Sequence, residues 1–356
     1  MGSRYGRSAT TVRALAMGLG VVLAGFSNHA ALAAESNILP NPTGGTDVNQ
    51  ATAAPPGLYG FVVGLPYNGA PNYTDQNGNT SKAQQYNNPT MLGGFSFVYP
   101  WQVFGGNISS SIVLQEHSSC ITLNGNLHGC YQGGLGDTYS DFIWWTRNVG
   151  LFGVTPGDNP RLKYGLNVAV GLAAKIPTGT YSAVEPAGVS AGGNNLFVWV
   201  PDAAFTYNTG PNWSFFDSTQ ISARFYYAIP NINTATNYQS GQVLDIDFSV
   251  TQLWGHWRFG LAGSYANQLT DDLQNGVVVP AFTSAAFGSY GAGKKWDALY
   301  VGPVIQYAWD NGIQFKAKYT QDVYTRAQLN VNTFVASVGF PLWQPEQPAK
   351  PQLVTK

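Results

Sequence analysis

The side chains that could do chemistry in this 356-residue sequence fall into three groups. His117, Ser119 and Cys120 stand together in E-H-S-S-C, and His128 and Cys130 follow in L-H-G-C. A histidine beside a serine can serve nucleophilic hydrolysis, but the imidazole needs an Asn or Asp to orient it, and none stands at a suggestive spacing. Two thiols and two imidazoles could also hold a metal, yet thiols in an oxidising compartment pair with each other instead. Cys120 and Cys130 lie five residues either side of Gly125 in the turn-prone N-G-N. A hairpin or looped tip would bring them together, so a disulfide is expected if the chain is exported. Asp137 and Asp141, in G-L-G-D-T-Y-S-D, form the second group. They could bind a cation, although carboxylates balanced by arginines are the simpler reading. The third group is nine charges set in apolar stretches: Lys175, Asp202, Arg224, Asp245, Asp247, Arg258, Lys316, Lys318 and Asp322. No cofactor motif, metal site or catalytic constellation emerges, and the chain is read as a non-enzyme.

The elements that carry those nine charges decide their role. Residues 164–176 read Y-G-L-N-V-A-V-G-L-A-A-K-I, with Tyr164, Leu166, Val168, Val170, Leu172, Ala174 and Ile176 on one parity and small or polar residues, Lys175 included, on the other. A period of two means an extended strand between two unlike environments. This one is long, since strands in soluble sheets run about 5–6 residues. The pattern returns in 241–254, where Asp245 and Asp247 oppose Leu244, Ile246 and Phe248, and in 313–322, where Lys316, Lys318 and Asp322 oppose Phe315, Ala317 and Tyr319. About twelve such segments run along the chain: 57–67, 91–101, 107–116, 135–147, 163–176, 195–208, 213–229, 241–254, 257–269, 296–309, 313–325 and 332–343.

Composition and connections choose among all-β folds. Only 10% of residues are charged while 14% are aromatic, against roughly 25% charged in a soluble domain. Outside the N-terminus no apolar run is long enough for a helical membrane span. Arg4, Arg7 and Arg13 precede the apolar run 14–26 and then A-A-L-A-A, the order of a secretory signal with cleavage near Ala33 or Ala34. Without those three of the 17 basic residues, 14 remain against 18 acidic ones, so a nucleic-acid partner is not supported. Connections after even-numbered segments are mostly brief (T-G-P-N, G-H, D-N-G), whereas 68–90, 117–134, 177–194, 230–240 and 270–295 are long. Short turns at one end and long loops at the other mark an antiparallel transmembrane β-barrel of about 12 strands, with short periplasmic turns and long extracellular loops. Strands of about 9–11 residues tilted near 45° cross the hydrocarbon core. Trp101, Trp144, Trp145, Trp213, Trp254, Trp257, Trp309 and Trp343 fall near short turns or the last strand end, as an interfacial girdle would.

On this frame the nine charges are expected to line the pore, because Arg or Lys on the lipid face at the midplane costs about 2–4 kcal/mol. Twelve strands leave an interior between that of a filled eight-stranded barrel and a wide porin, suiting a narrow path for small solutes. In 195–208 Leu196, Val198 and Val200 share the inward face with Asp202, so part of the lumen is expected to be apolar. Pro201, Pro303 and Asp217 fit the lipid face poorly, so either bulges are expected at them or the strand assignment is locally out of register. The organisation expected is a signal peptide over 1–33, an N-terminal periplasmic or lumenal segment over 34–56, the barrel over 57–343 and a C-terminal tail over 344–356.

P-P-G-L-Y-G (55–60), G-L-G-D-T-Y-S-D (134–141) followed by W-W, I-P-T-G-T-Y (176–181) and N-T-A-T-N-Y-Q-S-G (233–241) resemble motifs of the outer-membrane meta-pathway phenol-degradation or transporter family. The resemblance spans nearly all of the chain after the leader. It implies a barrel that passes hydrophobic or aromatic compounds across the outer membrane. The Cys120–Cys130 loop and the thirteen residues after Trp343 depart from the family pattern. Lipid and a small-molecule solute are the expected partners. The alternatives are a closed structural or surface-binding barrel and, through His117 and Ser119, a lipid hydrolase.

Overall fold

The computed structural model describes residues 38–41, 47–123, 127–181, 192–284 and 288–345. Residues 1–37, where a signal peptide is expected, and residues 346–356 lie outside them. Twelve antiparallel strands form the wall: β1 (Gly57–Thr74), β2 (Thr90–Val103), β3 (Gly106–Leu123), β4 (Thr138–Gly150), β5 (Gly165–Ile176), β6 (Val198–Asn208), β7 (Ser218–Pro230), β8 (Val243–Trp254), β9 (Trp257–Gln268), β10 (Asp297–Ala308), β11 (Gln314–Arg326) and β12 (Gln328–Trp343). Each pairs with its neighbours in sequence, and β12 returns to β1 through partners such as Gly60 with Phe340 and Val62 with Val338. The sheet is closed, so it has no edge and every strand can satisfy its backbone without water. Among the described residues no helix is long and apolar enough to cross a membrane; strands are the crossing elements.

Local sequence explains the two ends. Phe104 and Gly105 join β2 to β3 with φ of 50° and 71°, the left-handed pair that matches strand twist in a two-residue hairpin. Gly255 and His256 form the two-residue link between β8 and β9, with the positive φ (57°) at Gly255. At the opposite end a strand at Thr80–Asn87 extends β1 and β3, and Leu127–Leu135 folds back on β3. That fold sets Cys120 opposite Cys130 with Cα atoms 4.1 Å apart, joined as the expected disulfide. The link between β11 and β12 is Ala327 alone, at φ 50°.

Alternation holds where the sequence shows it: along β5 and β8, one parity is buried while Val170, Leu172, Val250 and Trp254 are exposed. Four details differ from expectation. Register runs unchanged past Pro201 and Pro303; each proline interrupts pairing on one side without a bulge. Asp217 precedes β7, where its carboxylate accepts the Gly255 N–H at 2.7 Å and the Asn159 amide at 2.9 Å, tying two turns together at the short-turn end. Tyr164 precedes β5 and is buried instead of facing outward. Trp144, expected in the girdle, points inward at 9% exposure. The cause is a bulge at Phe142: partners pass from Asp141–Ala173 to Ile143–Leu172, and one extra residue reverses the parity of all that follow.

Candidate functional site

The lumen is layered. Toward the short-turn end the inward positions of β5, β6 and β7 are Asn167, Thr206, Asn208, Gln220 and Ser222, all buried. Toward the loop end Leu196, Val198 and Val200 join Val63, Leu92 and Tyr139 in a buried apolar cluster, as the greasy stretch of 195–208 led one to expect. Most of the charges lie between as a belt, built from the alternation that puts one face of each strand inside, while Lys175 is registered with Tyr139 and Val198 at the loop end and Arg258 reaches Gln220 at the short-turn end.

Arg224 on β7 holds the first part of the belt. Its Nε donates to Asp202 on β6 at 2.8 Å and a terminal nitrogen donates to Asp141 on β4 at 2.7 Å. The guanidinium lies 4.0 Å from the Trp144 ring centroid and 4.6 Å from that of Tyr226. Asp141 thus meets an arginine, while Asp137 accepts the backbone N–H groups of Gly179 (3.1 Å) and Asn194 (2.9 Å) and pins the loop after β5. On β8, Asp247 is the registered neighbour of Arg224, and Asp245 accepts the Ser264 hydroxyl. Arg258 on β9 donates to Gln220.

The second part of the belt is occupied by the chain's own N-terminal segment. Asp47 is 1% exposed between Lys316, whose Nζ lies at 2.9 Å, and Lys318. Burial alone would raise its carboxyl, but the two ammonium groups overcome that and hold it well below the usual carboxylate range. Around it the segment is held by a polar zipper. Asn49 N–H donates to Gln220 (3.1 Å), Gln50 N–H to Ser222 (3.0 Å) and Ala51 N–H to Thr206 (3.0 Å). Asn41 donates to Asp247 at 3.0 Å, Lys175 donates to the Leu39 carbonyl at 3.1 Å, and Ile38 joins the apolar cluster. Of the nine charges singled out from sequence, eight therefore lie in this interior network or against the segment. Asp322 stands apart, half-buried and accepting the Val331 N–H at 2.6 Å across the β11–β12 hairpin.

Asp47 and Asn41 escaped the sequence reading because a turn-rich stretch without period gives no hint of its contacts. The side chains of His117 and Ser119 lie outside those described. Among the described residues no group of three or more His, Cys, Asp or Glu could hold a metal ion.

Comparison with known proteins adds the following. The crystal structure of an outer membrane channel from Pseudomonas putida F1 aligns with a TM-score of 0.61 at 9% identity, covering 83% of this chain and 98% of that one. The translocator domain of the autotransporter NalP from Neisseria meningitidis aligns at a TM-score of 0.40 with 11% identity, covering 94% and 100%. The transport unit of the autotransporter AIDA-I from Escherichia coli aligns at 0.41 with 8% identity, covering 90% and 96%. No curated protein matches the chain. The fold is that of outer-membrane β-barrels. Residues 71–337, three quarters of the sequence, match the family described as "Putative MetA-pathway of phenol degradation", and the chain belongs to that family.

Proposed function

We propose that this protein is an outer-membrane channel that admits small apolar or aromatic solutes, exported through its N-terminal leader and closed at rest by residues 38–41 and 47–56 of its N-terminal segment. The observation that carries the reading is the Asp47 carboxylate on Lys316 and Lys318. A segment that enters the lumen and is held by ion pairs and single hydrogen bonds can leave it, whereas a core of interlocked side chains cannot. The apolar cluster beneath the loops supports a preference for apolar solutes, and the family's description, phenol degradation, is consistent with it. Eight of the nine charges then act as the lumen's polar lining, and Asp322 braces the β11–β12 hairpin at its rim.

The test is uptake by liposomes loaded with purified protein, using a panel of aromatic and aliphatic solutes of equal size. Faster entry of aromatic solutes than in empty liposomes is expected. A closed structural barrel is the competing reading, favoured by the density of hydrogen bonds around residues 49–51; it requires vesicles to remain tight both with the intact protein and after removal of residues 38–56.

A further inference from the structure

Lys316 and Lys318 project from alternate positions of one strand, so their ammonium groups lie on the same side of the wall. Two like charges this close in a buried site need an anion. Asp47 supplies it, and it is the one charged residue in the stretch 36–56. The surroundings say what else would fit. The registered partner of Lys318 on β12 is Val335, 1% exposed and part of the apolar cluster that also holds Ile38. The Tyr300 ring lies 6.0 Å from the Lys318 ammonium. Two further carboxylates face the pair: Asp247, engaged by Asn41 of the same segment, and Asp245, which accepts the Ser264 hydroxyl. The segment therefore puts an anionic head on a lysine pair and an apolar side chain on an adjoining greasy surface.

We propose that the Lys316–Lys318 pair with the apolar surface beside Val335 is a binding site for small carboxylates with an apolar body, and that Asp47 is its tethered competitor. Bringing such a ligand in releases Asp47 and with it the hold on residues 38–41 and 47–51. The proposal deepens the channel reading by naming a solute class and an opening signal. A tethered carboxylate acts at an effective concentration on the order of millimolar or above, and the hydrogen bonds of residues 49–51 add to its hold, so free ligand competes at millimolar concentration or higher.

The test is benzoate binding to the purified full-length protein in detergent, followed calorimetrically, with benzamide as the neutral isostere. Asp47→Asn removes the competitor and leaves the lysines, and is expected to tighten benzoate binding at least roughly tenfold over the wild type. Asp47→Glu keeps a carboxylate and is expected to stay weak. Adding Lys316→Met and Lys318→Met to Asp47→Asn is expected to abolish benzoate binding, and benzamide is expected to bind none of these proteins. Benzoate binding that is equal in the wild type and in Asp47→Asn, or that survives loss of both lysines, overturns the proposal. Should Asp47→Asn lose the heat-modifiable mobility of a folded barrel, the wild type alone decides: saturable binding of benzoate but not benzamide at millimolar concentration supports the site, and its lack refutes it. Binding is read here without transport, so protein that binds benzoate yet passes no solute contradicts the channel reading alone.

Discussion

Replacing Arg224 by Met strips the interior of the cation that serves Asp141 and Asp202. The Arg224 side chain is 7% exposed and those carboxylates 14% and 0%. Removing one partner of a buried ionic group costs about 3–5 kcal/mol, because the charges left behind stay desolvated. Losing the stacked contacts with Trp144 and Tyr226 adds about 0.5–2 kcal/mol. Two terms work the other way: the carboxylates can take up protons, and water can enter once the guanidinium is gone. A net loss of about 3 kcal/mol is the expected outcome. Urea unfolding of detergent-solubilised protein, followed by tryptophan fluorescence with Trp144 beside the lesion, measures it. The matched control is Arg224→Met combined with Asp141→Asn and Asp202→Asn, which removes the uncompensated charge and is expected to recover most of the loss. A single variant within about 1 kcal/mol of wild type, or a triple variant no more stable than the single, would refute the argument that this network is a desolvated charge group.

Three further outcomes follow from the same geometry. The Asp47 carboxyl is depressed below its ordinary value of about 3.9, so the stability it lends to docking is complete above that value and fades only as pH falls further toward the depressed one; conductance traces of the intact protein should therefore be unchanged between pH 7 and about pH 5, and opening within that window would contradict the clamp. Reducing Cys120–Cys130, which closes a sequence separation of ten residues, is expected to loosen only the hairpin above β3, by about 3 kcal/mol at most, with the heat-modifiable gel mobility of the barrel preserved. Gly165→Val should impair folding, since Gly165 sits at φ 80° and an added Cβ would lie 2.2 Å from the Gly150 carbonyl oxygen; refolding yield from urea reports it, and a wild-type yield would show that the turn before β5 can move.

The wall was legible in the sequence and much of what fills it was not. A lipid face and a lumen face impose opposite demands on alternate residues, so Val168, Val170 and Leu172 against Asn167, Ala169 and Lys175 announce the strand, its faces and its length together. Such alternation fails wherever the backbone inserts a residue. The bulge at Phe142 is why Asp141 and Trp144, an odd and an even position, share the interior and meet on Arg224. Prolines gave the opposite error: a missing N–H suggested a bulge, but the ladder tolerates a local gap at Pro201 and Pro303 because the register is fixed by residues on both sides. The N-terminal segment carries no periodic signal at all. Asp47 and Lys316 are 269 positions apart, and only the closed barrel brings them together. The charges of the belt were recognised one at a time from the cost of exposing them to lipid, but which charge meets which depends on the shear of the barrel, and no strand records that by itself.

Single-channel recording in planar bilayers, comparing the intact protein with a variant lacking residues 38–56, shows whether the N-terminal segment closes the lumen. Small or rare openings are expected for the intact protein, and a stable, larger conductance once the segment is gone. Equal silence from both, with each shown by heat-modifiable mobility to be a folded barrel, would mean that the lumen is shut by its own walls and that the segment guards no path.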